Sequence, residues 1–326
     1  DKSWGPHFIR MGLRADADFQ GRSDFTGLTS FLTTRVNPKG GEWRTGLRFG
    51  QENGISTELY QPMGFSGLFF ASPHIGFKQR RQDVFAEGAF RDEYRVTTVE
   101  GGLDAGIQLR NHGEVRAGFF LGRRTASARR VAASEESAVG GYTLRATVDQ
   151  LDNLSFPRSG VLVSVEGRFF SDDLGSDVSY NKASIAACAA ASKGDHAVAA
   201  VVRAGTSLGS SPPVYDQFAL GGFLSLSGLE RGSLRGPYFA LGEVVYHYRV
   251  LRLPRPFGTG IYAGASLEAG DTWQQEGDVG LTGMRYAGSV FVGADTFLGP
   301  LYLGFGLTEH GDSSAYVSLG MSLVGS

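Results

Sequence analysis

Apolar and polar side chains alternate one by one along most of this chain. Between Trp4 and Phe19, Ile9, Met11, Leu13, Ala15, Ala17 and Phe19 share one parity, while Arg10, Gly12, Arg14, Asp16, Asp18 and Gln20 share the other. Successive side chains of a strand point to opposite faces, so the pattern predicts a strand with one apolar and one charged face. The same texture returns in Phe25–Val36, Ile55–Tyr60, Phe69–Phe85, Arg91–Leu109, Tyr142–Val148, Val178–Ala191 and Ala197–Leu208. Tyr238, Val244, Tyr246, Tyr248 and Val250 oppose Glu243, His247 and Arg249; Ile261, Ala263, Ala265 and Leu267 oppose Tyr262, Ser266 and Glu268. Tyr286–Phe297, Leu301–Leu307 and Ala315–Leu323 finish the chain. In all, about sixteen strands are predicted, an even number within the range of outer-membrane barrels. Short turns at Asn37–Gly41, Asn111–Gly113, Ser192–Asp195, Pro254–Pro256 and Leu298–Pro300 alternate with longer connections such as Arg129–Gly140.

One stretch breaks the alternation. Phe218 to Pro237 carries Gly221, Gly222, Phe223, Leu226, Ser227, Gly228 and Leu229, then Arg231 and Arg235. Long irregular loops between strands are uncommon and are usually functional or disordered. This one is too apolar for a disordered tether. It is expected to fold back onto the rest of the chain.

Composition narrows the class. The chain has 326 residues, a formal net charge of -2 and 48 glycines. That charge balance lacks the basic footprint of a nucleic-acid binder. The lone cysteine, Cys188, can form neither an internal disulfide nor a cysteine-built zinc site. Glycine inside strands marks bends and close backbone approaches, which a closed barrel needs. A soluble sandwich or lipocalin-like barrel would also alternate. Two features favour a membrane barrel. The charged face carries Arg10, Arg14, Arg44, Arg48, Arg116, Arg168, Arg203 and Arg249, with Glu166, Glu243 and Glu268. The apolar face carries Phe19, Trp43, Tyr238 and Tyr248 near segment ends, as interfacial girdles require.

Leu151-Asp152-Asn153 followed by Phe156-Pro157-Arg158-Ser159-Gly160 resembles the periplasmic-turn signature of the bacterial surface-antigen superfamily, which holds BamA, TamA and the FhaC-type transporters. Leu220-Gly221-Gly222-Phe223 and Leu226-Ser227-Gly228-Leu229 resemble that family's sixth loop. Ser3-Trp4-Gly5-Pro6, Asp18-Phe19-Gln20-Gly21, Gly41-Glu42-Trp43-Arg44 and Glu58-Leu59-Tyr60-Gln61-Pro62 resemble the barrels that follow a patatin-like phospholipase domain, the PlpD-like type Vd autotransporters. The resemblance implies an all-β, 16-stranded antiparallel transmembrane β-barrel over residues 1–326, with the long sixth loop folded into the lumen. Signal, patatin-like and periplasmic modules would lie upstream of Asp1.

The resemblance has two departures. The family's loop carries an arginine-glycine-aromatic tripeptide held by acidic lumen residues, and here Ser227-Gly228-Leu229 stands in its place. Arg231 or Arg235 is the candidate replacement, pairing with Glu243 or Glu268; the alternative is packing by Phe223, Leu226 and Leu229. His247 and Arg249 complete the expected lumen partners, with Glu243, four residues back, as the hydrogen-bond partner of His247. The chain also ends on Met321-Ser322-Leu323-Val324-Gly325-Ser326, where family barrels end on an aromatic.

Candidate chemistry is sparse. Gly205-Thr206-Ser207-Leu208-Gly209 matches G-x-S-x-G, but Ser210-Ser211-Pro212-Pro213 follows where a nucleophile elbow needs a helix. His7, His74, His112, His196, His247 and His310 are scattered, and Asp271–Asp278 lacks calcium-loop spacing. No catalytic residue, metal or cofactor is expected. The expected function is a Gram-negative outer-membrane translocator or anchor that secretes or displays an N-terminal lipase-like passenger. An assembly/insertase barrel and a passive, anion-favouring pore are the alternatives. Expected partners are outer-membrane lipid, the passenger in cis and the barrel-assembly machinery; a homodimer stays open, and nucleic acid is not expected.

Overall fold

A computed structural model describes residues 6–18, 22–64, 67–86, 89–109, 112–129, 134–254, 258–296 and 299–323. Its strands in chain order are β1 His7–Asp18, β2 Arg22–Thr34, β3 Glu42–Gly50, β4 Glu52–Met63, β5 Phe69–Ala86, β6 Ala89–Gln108, β7 Gly113–Ala128, β8 Ser134–Asp149 and β9 Gly160–Phe170. They continue as β10 Asn181–Lys193, β11 His196–Thr206, the short β12 Phe218–Leu220 and β13 Leu234–Gly236, then β14 Tyr238–Arg252, β15 Gly260–Trp273, β16 Arg285–Thr296, β17 Gly299–Thr308 and β18 Ser313–Leu319. Within the described residues, β1–β11 and β14–β18 close into one antiparallel barrel of sixteen strands, and β12–β13 form a separate hairpin. The fold class read from the alternation is thus the observed one.

The exposure pattern decides which face is outside. Leu267 is 73% exposed while its neighbour Glu268 is 3% exposed. Ile75, Phe119, Val202, Val244, Val290 and Leu303 are likewise exposed. A soluble barrel would put these side chains inside. Here they form an outward apolar belt, and the charged parity faces inward, as in a barrel solvated by lipid.

Several boundaries differ from the sequence-based expectation. β8 begins at Ser134, so much of the expected Arg129–Gly140 loop is strand. β7 and β8 keep pairing there, through Arg123↔Ala138 and Thr125↔Glu136. Polar side chains on both faces hid these strand ends, because they stand beyond the apolar belt. β18 stops at Leu319 rather than Leu323; Gly320 adopts φ +77 and turns the chain inward. Tyr238 is buried, its hydroxyl accepting from Gly209 N at 3.2 Å, so it does not join the exposed Trp43 and Tyr248. Phe19, Gln20, Gly21, residues 1–5, the middle of the turn at 254–256, and 324–326 lie outside the described residues.

The barrel is not evenly paired. β1 meets β2 along His7–Asp18, but among the described residues it meets β18 only through Ala15–Asp18, opposite Leu319–Tyr316. Met321 and Leu323 continue into the buried cluster, with Leu323 N donating to Leu154 O at 2.9 Å.

Candidate functional site

The site is built by two connections that enter the barrel's buried core from opposite ends. The first is the segment 207–237 between β11 and β14. The second is the turn 150–159 between β8 and β9.

The tip of the first connection closes on itself through Gly221 N to Ser225 O at 2.8 Å and Gly222 N to Leu229 O at 3.1 Å. Leu224 and Leu226 sit at φ +54 and +68, where a side chain is strained. Burial holds them there: Leu224 is 3% exposed and Leu226 fully buried. The tip lies against β17 because that strand carries glycine where the contact is closest. A Cβ on Gly306 would come 2.5 Å from Ser227 Cβ, and one on Gly304 would come 2.5 Å from the Phe223 ring.

Ser227 occupies the position where an arginine was expected. Its backbone N–H donates to Glu268 Oε2 at 2.7 Å and its hydroxyl to Glu268 Oε1 at 2.7 Å. The same hydroxyl accepts from Leu224 N at 2.9 Å, and Ser266 Oγ adds a 2.6 Å bond to Glu268. Gly228 N donates to Tyr316 Oη at 2.9 Å, and that hydroxyl donates to Leu229 O at 3.2 Å. Phe223 packs on Tyr316, Tyr302 and Phe291, with ring centroids 5.4, 5.7 and 5.9 Å away.

The expected arginine pairings are not formed. Arg231 is half-exposed and reaches Asp24 at 2.8 Å and Asp16 at 3.4 Å, on β2 and β1. Arg235 is on β13, and its carbonyl accepts from Gln274 Nε2 at 2.7 Å. Burial, then the nearby Arg80 cation, pulls the Arg235 guanidinium down to about 10. Glu243 instead takes its cation from the wall: Arg203 of β11 donates to Glu243 and, at 2.9 Å, to Leu224 O. The arginine that clamps the loop therefore comes from a strand, not from the loop.

The expected His247–Glu243 bond fails on distance alone. Four residues along a strand span about 13 Å, whereas four along a helix make one turn. His247 is 1% exposed and lies edge-on to Phe156 and Tyr262, at 6.0 and 5.5 Å between centroids. Arg249 lies at the end of the barrel where β10 turns into β11, donating to Asp195 Oδ1 at 2.7 Å. Arg249 and Arg252 hydrogen bonds lower the Asp195 carboxyl below its ordinary range.

The second connection is held by its own short polar side chains. Asp152 Oδ1 accepts from Arg158 N at 2.9 Å and Ser159 N at 3.1 Å; Asn153 Oδ1 accepts from Ser155 N at 2.7 Å and Phe156 N at 3.0 Å. Such bonds substitute for the backbone pairing a turn lacks. Asn153 Nδ2 reaches Asp295 at 3.1 Å. Pro157 is fully buried, and Gly160, at φ +104, opens β9. The result is to thrust Phe156 inward, where it stacks on Tyr262 at 4.3 Å and 8° and on Tyr302 at 4.8 Å and 26°. Tyr302 Oη donates to Ser155 O at 2.6 Å. Phe223 from one connection and Phe156 from the other thus meet on the same ring, Tyr302.

A further anchor escaped sequence reasoning. Tyr215 and Asp216, at the start of the first connection, cross to the far wall. Asp216 pairs with Arg80 of β5 at 3.2 Å, Lys182 of β10 at 3.3 Å and Arg124 of β7 at 3.4 Å, and accepts from Tyr180 Oη. Burial alone would raise the Asp216 carboxyl, but these cations outweigh it and hold it at about 2. Tyr215 is buried beside Val96 and Ala126. The readable signal was the run of basic residues on the inward parity of β5, β7 and β10. Below this anchor remains a cavity of about 810 Å³, lined by ion-paired residues including Glu58 with Arg116 and Glu100 with Arg168.

Ser207 is fully buried and donates from Oγ to Ser210 O at 2.6 Å, inside a tight turn. A 3-10 turn over Val214–Asp216 follows, not the helix of a nucleophile elbow.

Residues 49–270 match the Omp85 superfamily domain. Among solved structures, the chain is similar to BamA from Haemophilus ducreyi lacking POTRA domains 1-3, with a TM-score of 0.74, 12% identity, and coverage of 97% of this chain and 70% of that one. It is also similar to CdiB from Acinetobacter baumannii, with a TM-score of 0.63, 10% identity, and coverage of 96% and 59%. CdiB from Escherichia coli gives a TM-score of 0.61 at 14% identity, covering 98% of this chain and 63% of its own. No curated protein matches.

Proposed function

The chain belongs to the Omp85 superfamily, and from that premise we propose that this outer-membrane barrel is the translocator and anchor of an N-terminal lipase-like passenger. The nature of the passenger rests on the short motifs spread over the first sixty residues, in their order. The chain spans about six tenths of the CdiB chains it resembles, so the activity of any larger protein is part of this proposal too.

The observation that carries the translocator reading is the seam. A spanning sheet must pair every backbone group, so a barrel opens where pairing is least. Here that place is β1–β18, joined over Ala15–Asp18 only among the described residues, while after Gly320 the chain leaves the wall and buries Met321 and Leu323. In this mechanism the plug residues Gly221, Gly222, Phe223, Leu226, Ser227, Gly228 and Leu229, with Glu268, Glu243 and Arg203, keep the barrel shape while the seam yields. Arg231 joins the plug to β1 and β2 beside the seam, through Asp16 and Asp24. Chemistry at Ser207 has no part in it. The barrel-assembly machinery inserts the chain, and a homodimer is compatible with the unobstructed outer belt.

The test is passenger display in cells carrying the full-length protein, read by protease shaving. Display that depends on the barrel supports the reading. A passenger that stays periplasmic while other outer-membrane proteins fail to assemble supports an assembly barrel instead. The passive-pore alternative draws on the 810 Å³ cavity. Steady large conductance in single-channel recording would favour it, although the arginines there are largely neutralised by carboxylates.

A further inference from the structure

Above the apolar belt, the outward face of β5–β8 carries an unusual charge pattern. Phe77 and Val99 face each other across β5 and β6 as the last apolar pair before a polar stretch. The next outward pair is Gln79 with Thr97, and the one after is Arg81 directly opposite Arg95. Both arginines are exposed. Like charges in directly opposed positions destabilise a sheet, because their Cβ atoms stand only about 5 Å apart. Arg123 of β7 sits opposite Val99, at the edge of the belt, and Thr125 sits opposite Thr97. The outward carboxylates nearby are already engaged or stand further out. Glu136 pairs with Arg123 at 3.0 Å; Glu93, beyond Arg95, pairs with Arg129 at 3.8 Å and faces Asp83.

Height settles what meets this face. Phe77 to Arg81 is four residues, about 13 Å along the strand, or about 10 Å along the membrane normal at a typical barrel tilt. This end of the barrel is the one from which the long connection 207–237 enters, and in such barrels the longer loops are extracellular. The arginines therefore stand among the headgroups of the outer leaflet. Arginine binds phosphate bidentately, and a repelled pair of guanidinium groups is stabilised by a bridging anion. The amide and hydroxyls of Gln79, Thr97 and Thr125, between the arginine rows, are suited to sugar hydroxyls.

We propose that Arg81 and Arg95, with the Gln79–Thr97–Thr125 row, form a binding site for a phosphorylated glycolipid headgroup of the outer leaflet. The site rests on the outer-membrane location and not on translocation. The bound lipid would brace the tall β5–β8 wall, the one that Asp216 ties to the plug.

The experiment uses the purified barrel in mild detergent and measures its unfolding temperature with three probes: a bisphosphorylated lipid A-type glycolipid, the same glycolipid with phosphates removed, and phosphatidylethanolamine. Only the phosphorylated glycolipid is expected to raise the unfolding temperature. Arg81→Gln with Arg95→Gln is expected to weaken its apparent affinity about tenfold or more. A second variant, Arg81→Glu, creates an opposed ion pair with Arg95; it is expected to be at least as heat-stable as the parent without lipid, and to lose the response. Equal stabilisation by the dephosphorylated glycolipid, or an undiminished response in either variant, overturns the proposal. The three probes on the unmodified barrel distinguish these outcomes even if a variant does not fold.

Discussion

Ser227 grips Glu268 by both carboxylate oxygens, its amide at 2.7 Å from one and its hydroxyl at 2.7 Å from the other. Two donors on two oxygens is the geometry of an arginine fork, assembled here from a backbone and a short side chain. Ser227→Ala removes one of the two donors and leaves Leu224 N without its acceptor, at a cost of about 1–3 kcal/mol. Ser227→Arg, which would restore the arginine of the family tripeptide, is expected to destabilise the barrel further, because Gly306 leaves no room for a longer side chain. Heat-modified migration on gels, followed against temperature, reads both. A more stable Ser227→Arg barrel would mean that the serine grip is not what holds the tip.

The loop arginine and the wall arginine should differ sharply. Arg203→Ala leaves Glu243 buried without its cation, and breaking such a pair costs about 3–5 kcal/mol. Arg231→Ala removes a half-exposed ion pair worth about 0–1 kcal/mol. Unfolding temperatures of the two variants in one detergent give the order directly.

Phe156 should behave as a plug residue despite its place in a turn. Phe156→Ala removes two stacked contacts from a packed site, costing about 3–5 kcal/mol. Its loss also frees Tyr302, the ring on which Phe223 rests. Planar-bilayer recordings are expected to show longer and larger openings than the parent barrel. Unchanged recordings would mean that the two connections are not coupled through Tyr302.

These three sites were unequally legible. Parity placed the strands and faces, because lipid outside and ion pairs inside impose a period of two along almost every strand. Parity also put Arg203, Glu268 and Tyr262 on the inward face. It carries no information about which inward residues meet across the barrel, so Arg231 was paired with the wrong carboxylates. The His247–Glu243 expectation applied a four-residue spacing that brings side chains together on a helix and separates them on a strand. The turn motif from Asp152 to Gly160 was visible, but nothing in it signals that Phe156 points into the barrel. The end of β18 was overextended because Met321 and Leu323 keep the strand's alternation while being buried by a different route, after the turn at Gly320.

The far anchor should fail in acid. The folded value of Asp216 is about 2, below its ordinary 3.8. Its ion pairs therefore stabilise the plug at every pH above the ordinary value, and that contribution is lost as pH falls from about 4 towards 2. Hydrogen exchange over residues 207–217 is expected to accelerate across that window. In Asp216→Asn, exchange should already be fast at neutral pH, with no further change attributable to this site. Exchange in the parent that stays flat down to pH 2 would contradict the role of Arg80, Arg124 and Lys182.

The proposed translocation depends on opening of the seam, and a reversible lock across it is the most direct test. Ala17 and Val317 are paired neighbours on β1 and β18. Ala17→Cys with Val317→Cys, in a Cys188→Ala background, should form a disulfide in the oxidising periplasm without disturbing the plug. In cells carrying the full-length protein, the measurement is passenger display by protease shaving, before and after mild reduction. Seam opening predicts a folded, heat-modifiable barrel whose display is abolished when oxidised and recovers on reduction. Undiminished display by the oxidised, fully cross-linked barrel would contradict it.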